Sequence, residues 1–257
     1  MFKKVVLLVM FLLSATNLWA VKTLNVSNTW HNLGSTGTYP ASPGINEDEV
    51  CIFCHTPHGG TANTPLWNRD LPLQGVGNEF SHYTSATLSG YMKGAGMSVR
   101  QVNTESLLCL SCHDGTVALN NINNFSNRTG VMPNVLTDPM QDTSMGFGVS
   151  AVIGDPTDEP IDVDGIPAGR NLTDDHPISF SYESAQTHGD NIGQLNTSGF
   201  AKGKGIRFFG DQVNENRVEC SSCHDPHVDY VAGDTAYTPF LVTPNTGSAL
   251  CLACHIK

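Results

Sequence analysis

Charged side chains are scarce in this chain: Asp, Glu, Lys and Arg make up 14% of its 257 residues, against about a quarter in an ordinary soluble domain. Glycine, asparagine, threonine and serine stand in their place, a composition that favours turns and loops over long amphipathic helices. Basic residues are the rarer sign, 13 against 24 acidic. Nucleic acid and anionic membrane are therefore poor partners. Long apolar runs are missing as well. The one marked run, Val5 to Leu13, is too short to span a bilayer. It follows Lys3 and Lys4 and precedes a polar break ending at Ala20, the pattern of a secretory leader over residues 1–20. No cysteine follows the expected cut to carry a lipid, so no membrane span or anchor is expected. Without the two leader lysines the formal charge is −13. Residues 21–257 are expected to form a single domain.

An unpaired cysteine is also lacking. All eight fall in four C-x-x-C-H motifs: Cys51, Cys54 and His55; Cys109, Cys112 and His113; Cys220, Cys223 and His224; Cys251, Cys254 and His255. One such motif alone would also suit a zinc half-site or a redox dithiol. Four of them, each followed by histidine and together using every cysteine of an exported chain, match the attachment signature of c-type haem. Each cysteine then forms a thioether to a vinyl-derived carbon, and the adjacent histidine ligates the iron from the proximal side. Four haem c groups would also explain the composition, because buried porphyrins replace much of a protein-only core. The fold class expected is mostly irregular and loop-rich, with short helices around a chain of four covalently bound haems and little β-structure.

Six histidines remain: His31, His58, His82, His176, His188 and His227. A bis-histidine set needs four of them as distal ligands. Met92, Met97, Met132, Met140 and Met145 are the alternative ligands and would raise the potential, but none lies in a context resembling a haem motif. His58 follows His55 by three residues, and Pro57 turns Thr56 away from helical geometry. The His58 imidazole therefore cannot reach round the ring held beside it, and points to a different haem. His227, beyond Pro226, is placed in the same way after His224.

The blocks WHNLG around His31, CIFCHTPHG, TPLWNRDLP, CLSCHDGTVALN, DDHPISF around His176, CSSCHDPH and the terminal LCLACH resemble successive signatures of the multihaem c-type cytochrome family with doubled C-x-x-C-H motifs, in particular its filament-forming (nanowire) tetrahaem members. The resemblance spans nearly all of the chain after the leader and implies that His31, His58, His176 and His227 are the distal ligands. His82 and His188 match no ligand block and read as loop or surface histidines, held in reserve should one of the four fail.

The function expected is electron transport, without enzymatic chemistry, since two histidines on each iron leave no site for a substrate. The resemblance implies secretion to the cell surface and head-to-tail assembly with other copies of the chain. Redox partners would be other cytochromes or an extracellular electron acceptor. It also implies that one protomer's histidine completes a haem in its neighbour, for which His31, near the start of the exported chain, is the candidate; the alternative is that His31 folds back on its own chain. A periplasmic shuttle would carry the same ligands, whereas a multihaem reductase would leave one iron open. The acidic stretch at 155–165 lacks the spacing and closing glutamate of an EF-hand and reads as a solvated turn.

Overall fold

A computed structural model describes residues 22–37, 48–60, 64, 66–72, 74, 80–83, 88, 101–114, 122–124, 170–188, 193–210, 216–230 and 235–257. Among these, regular structure is sparse and its pieces are short. The longest is helix α1, Thr104–His113, with Glu105 in its first turn, where a negative charge suits the helix dipole. It buries Leu107 and Leu110, three residues apart on one face. The further helices are α2 (Tyr182–Thr187), α3 (Ser198–Gly203), α4 (Cys220–Cys223) and α5 (Ala249–Cys254). Side chains cap two of them: Ser181 Oγ accepts the Ser184 N–H at 3.3 Å, and Thr197 Oγ1 accepts the Phe200 N–H at 3.2 Å.

The strands are two-residue pieces. Strand β1 (Ser81–His82) runs parallel to β2 (Asn171–Leu172), and β3 (Phe180–Ser181) runs antiparallel to β4 (Arg217–Val218), with Phe180 opposite Val218. Apolar packing is divided among small clusters. Phe80, Val102, Leu107, Leu110 and Leu172 form one beneath α1, Phe180, Tyr182, Ala185 and Val218 a second, and Ala201, Ile206, Val242 and Ala253 a third. Helix α1 packs on α4, and α3 packs on α5, so three of the four motif segments sit on or against these clusters. None of the described helices is long and apolar enough to cross a membrane.

Candidate haem-ligand sites

Each C-x-x-C segment is a single helical turn or the end of one, so its cysteines lie three apart on one face. Val50–Phe53 is a 3-10 turn, Cys220–Cys223 is α4, and Cys251 and Cys254 close α5. In these three the motif histidine's N–H donates to the carbonyl of the first cysteine, at 2.8 Å for His55, 3.0 Å for His224 and 2.8 Å for His255. The backbone of each then pairs with a remote residue in an isolated β-bridge: His55 with Trp67, His224 with Leu241, His255 with Leu195. Helix and bridge together fix the direction in which each imidazole leaves the turn. The second motif differs, because His113 is still helical and Asp114 closes α1 through its N–H to Leu110 O at 3.1 Å.

The histidines meet in pairs. His55 and His227 stack with ring centres 6.3 Å apart and planes 11° from parallel. His31 and His113 lie 6.1 Å apart at 83°, and His176 and His255 lie 6.3 Å apart at 75°. Each pair joins one motif histidine to a histidine far away in the chain. Two imidazoles on opposite sides of one metal, each bound at about 2.0 Å with about 1.1 Å from nitrogen to ring centre, have centres about 6.2 Å apart. The three separations match that span, and the residues fit a six-coordinate haem iron. Among the described residues no cluster of three or more His, Cys, Asp or Glu is arranged to hold a bare metal ion.

Hydrogen bonds orient several of these rings. His176 Nδ1 lies 2.8 Å from the Pro177 carbonyl and His224 Nδ1 lies 3.0 Å from that of Pro239. A carbonyl only accepts, so Nδ1 carries the hydrogen and Nε2 keeps its lone pair for a metal. Burial, with the neighbouring His113 and His227, holds the His31 pKa down to about 3. Burial, then His227, lowers that of His55 against the hydrogen bond to Leu66, and burial lowers that of His176 despite its bond to Pro177. Neutral imidazole, the form a metal takes, is favoured at all three. Burial also pushes the Cys54 thiol up to about 12 and that of Cys223 to about 11. All eight cysteines are free of disulfides.

The attachment segments are neighbours in chain order. Cys54 lies near enough to Cys112, Cys109 to Cys220, and Cys223 to Cys254 and Cys251 for each thiol to shift the other's ionisation. The packing of α1 on α4 makes the middle link.

His31 lies beside His113 of its own chain, the alternative weighed against donation to a neighbour. Asn32, buried next to it, holds this turn by donating to Ser27 O at 2.9 Å and Thr36 Oγ1 at 3.2 Å while accepting the Gly34 N–H at 3.2 Å. A Cβ at Gly37 would come within 1.9 Å of the Asn32 carbonyl, so the turn requires glycine there. His227, three residues after His224, faces His55 of a different motif. His58 is exposed and forms no ring pair of this kind with His224, but its backbone is held: Thr56 Oγ1 donates to His58 O at 2.7 Å and Asn124 Nδ2 donates to it at 3.1 Å. His82 is buried on β1, and His188 is exposed at the end of α2. The leader, the five methionines and the acidic stretch at 155–165 lie outside the described residues.

Sequence reasoning passed over the residues that hold the ligand segments together. Asn68 is fully buried, donates to Ile52 O at 2.7 Å and Asn124 O at 2.8 Å, and joins the first motif to TPLWNRDLP. Glu219 is buried between α1 and α4, and Asp225 lies between His224 and His227. An amide or carboxylate in a loop-rich chain carries no spacing signal; only the aspartate inside CSSCHDPH could have been singled out. Comparison with protein-family models and with curated proteins finds no match for the chain.

Proposed function

We propose that this chain is an exported tetrahaem c-type cytochrome that carries electrons through bis-histidine haems, as the protomer of an extracellular filament. The observation that carries the reading is the set of three histidine pairs, 6.1 to 6.3 Å between ring centres, each uniting a C-x-x-C-H histidine with a remote one. Haem supplies a one-electron Fe(III)/Fe(II) couple. The chain's part is to hold and orient. Paired imidazoles would hold the iron from both sides and leave no site for substrate, which favours electron transfer over bond chemistry. Histidine in place of methionine favours low potentials. The order of the attachment cysteines supports a single path through sites 51/54, 109/112, 220/223 and 251/254.

His58 and His224 remain once the three pairs are assigned. We assign His58 to the site of His224 in the adjacent copy, because its backbone is tied while its ring faces outwards. Ligation and assembly are then a single event, and the head-to-tail contact does not close into a ring. The test combines intact mass, ferric spectra and electron microscopy of exported protein. Four haem additions, low-spin iron throughout and filaments support the reading. A monomer with four low-spin irons identifies a shuttle instead. A monomer with one high-spin iron that binds carbon monoxide after reduction fits both an unassembled protomer, whose His224 site awaits the next copy, and a reductase; turnover of a substrate at that iron identifies the reductase. Fewer than four haems overturns the reading.

A further inference from the structure

The rings of the assigned ligands differ in what receives their Nδ1 hydrogen. For His176 and His224 the acceptor is a neutral carbonyl, of Pro177 and Pro239. For His227 it is a carboxylate: Asp225 Oδ1 lies 2.9 Å from His227 Nδ1 and also accepts the His227 backbone N–H at 3.1 Å. Both hydrogen bonds fix the ring relative to the chain. The other carboxylate oxygen, Oδ2, accepts from Lys22 Nζ at 3.0 Å and faces Arg207 Nη2 at 3.4 Å. The Asp225 N–H is itself bonded to the Phe240 carbonyl at 2.7 Å, and the residue is buried. Asp225 is thus held at its backbone and at both side-chain oxygens.

From this geometry we infer that Asp225 is a positioning residue that sets the potential of one haem, the one held by Cys51 and Cys54, by acting through its ligand His227. The inference rests on the tetrahaem reading above. A carboxylate draws on the Nδ1 hydrogen more strongly than a carbonyl does, which places more electron density on Nε2 and makes the ring a better donor. A better donor favours Fe(III) over Fe(II) and lowers the potential of that site. Lys22 Nζ at 3.0 Å and Arg207 Nη2 at 3.4 Å place positive charge beside the carboxylate, which favours its ionised form. Lys22 competes with His227 for the same carboxylate and moderates the effect.

The experiment is a spectroelectrochemical titration of haem-loaded wild type, Asp225→Asn, Lys22→Met, His227→Met and the double variant His227→Met with Asp225→Asn. Asparagine keeps an acceptor oxygen near Nδ1, loses the charge, and turns an NH2 towards Lys22 and Arg207 where Oδ2 had been. It is expected to raise one of the four midpoint potentials by about a tenfold change in that site's redox equilibrium, about 59 mV for one electron. The potential that moves should be the one that His227→Met moves, and all four irons should stay low-spin. Lys22→Met, on a partly exposed side chain, should shift the same potential downwards. In the His227→Met background the asparagine substitution should have no further effect, because methionine offers no side-chain N–H to the carboxylate.

Unchanged potentials in Asp225→Asn would overturn the inference. So would a shift that persists without His227, which marks a through-space charge effect, or a shift confined to the haem held by Cys220 and Cys223. A high-spin iron in Asp225→Asn would mean that Asp225 only holds its ligand in place. Wild type with fewer than four haems, or without low-spin iron, would instead refute the tetrahaem reading on which this rests.

Discussion

Replacing Glu219 tests how the second and third attachment segments are held together. Its carboxylate sits just before Cys220, 1% exposed. One oxygen accepts from Asn103 Nδ2 at 2.6 Å, and the other accepts from Ser106 Oγ at 2.5 Å and Ser179 Oγ at 2.9 Å. The same two hydroxyls accept backbone hydrogens in turn, Ser106 from Cys220 at 3.1 Å and Ser179 from Asn103 at 2.9 Å. The network therefore ties the start of α1, the segment before β3 and the start of α4 into one unit. Glu219→Ala strands three donors in a largely buried site, at about 1–3 kcal/mol each. Relief of the carboxylate's desolvation returns part of that, leaving a net loss of about 4 kcal/mol. Glu219→Gln can still accept both hydroxyls at its oxygen, but its NH2 then faces the NH2 of Asn103, donor against donor, and about 2 kcal/mol is expected to be lost.

The difference between wild type and Glu219→Gln should depend on pH. Burial raises the Glu219 pKa, outweighing the hydrogen bonds from Ser106, Asn103 and Ser179 that oppose the rise. A raised acid contributes stability that is complete below its ordinary value and is lost as the pH climbs through the raised one. Glutamine has no such dependence, so the wild-type advantage should be largest in acid and shrink as the pH passes above the ordinary glutamate range. Guanidinium unfolding of haem-loaded protein, followed by far-ultraviolet circular dichroism and the Soret band at several pH values, measures both quantities. Alanine and glutamine variants within 0.5 kcal/mol of wild type, or an advantage that widens with pH, would refute the account; 0.5 kcal/mol is about the size of an ordinary surface substitution.

His58→Ala should leave four haems loaded but abolish filaments and turn one iron in four high-spin, as read by electron microscopy and ferric spectra; filaments of normal length would remove His58 from the contact between copies. His31→Ala should make the iron held by Cys109 and Cys112 high-spin, since its ring faces His113, while filaments persist; loss of filaments with low-spin iron would return His31 to the contact. Asn68→Ala removes a fully buried amide with partners in two other segments and should cost about 2–4 kcal/mol in denaturant unfolding. Asp114→Ala leaves Arg170, 3.3 Å away in a buried ion pair and stacked over Phe80 at 4.8 Å, without that carboxylate, and should cost about 3–5 kcal/mol in the same assay.

The proposed attachment chemistry is legible in the sequence because it is local. Two cysteines three apart and the histidine that follows are held in one turn by a few backbone bonds, so the motif states its own geometry, and a proline two residues after the motif histidine settles by steric exclusion that the next imidazole looks elsewhere. Low charge and abundant Gly, Asn and Pro likewise announce short helices and loops. Where each imidazole looks is a different matter. His227 meets His55, His176 meets His255 and His31 meets His113 only because the chain folds segments far apart in sequence onto one another, through bridges such as Leu24 with Val228 and Leu195 with His255. No spacing encodes those meetings, since loops of almost any length can close the distance at small entropic cost. The same holds for the carboxylates of Asp225 and Glu219. Their importance comes from burial and from partners contributed by distant segments, and burial is a property of the packed chain alone.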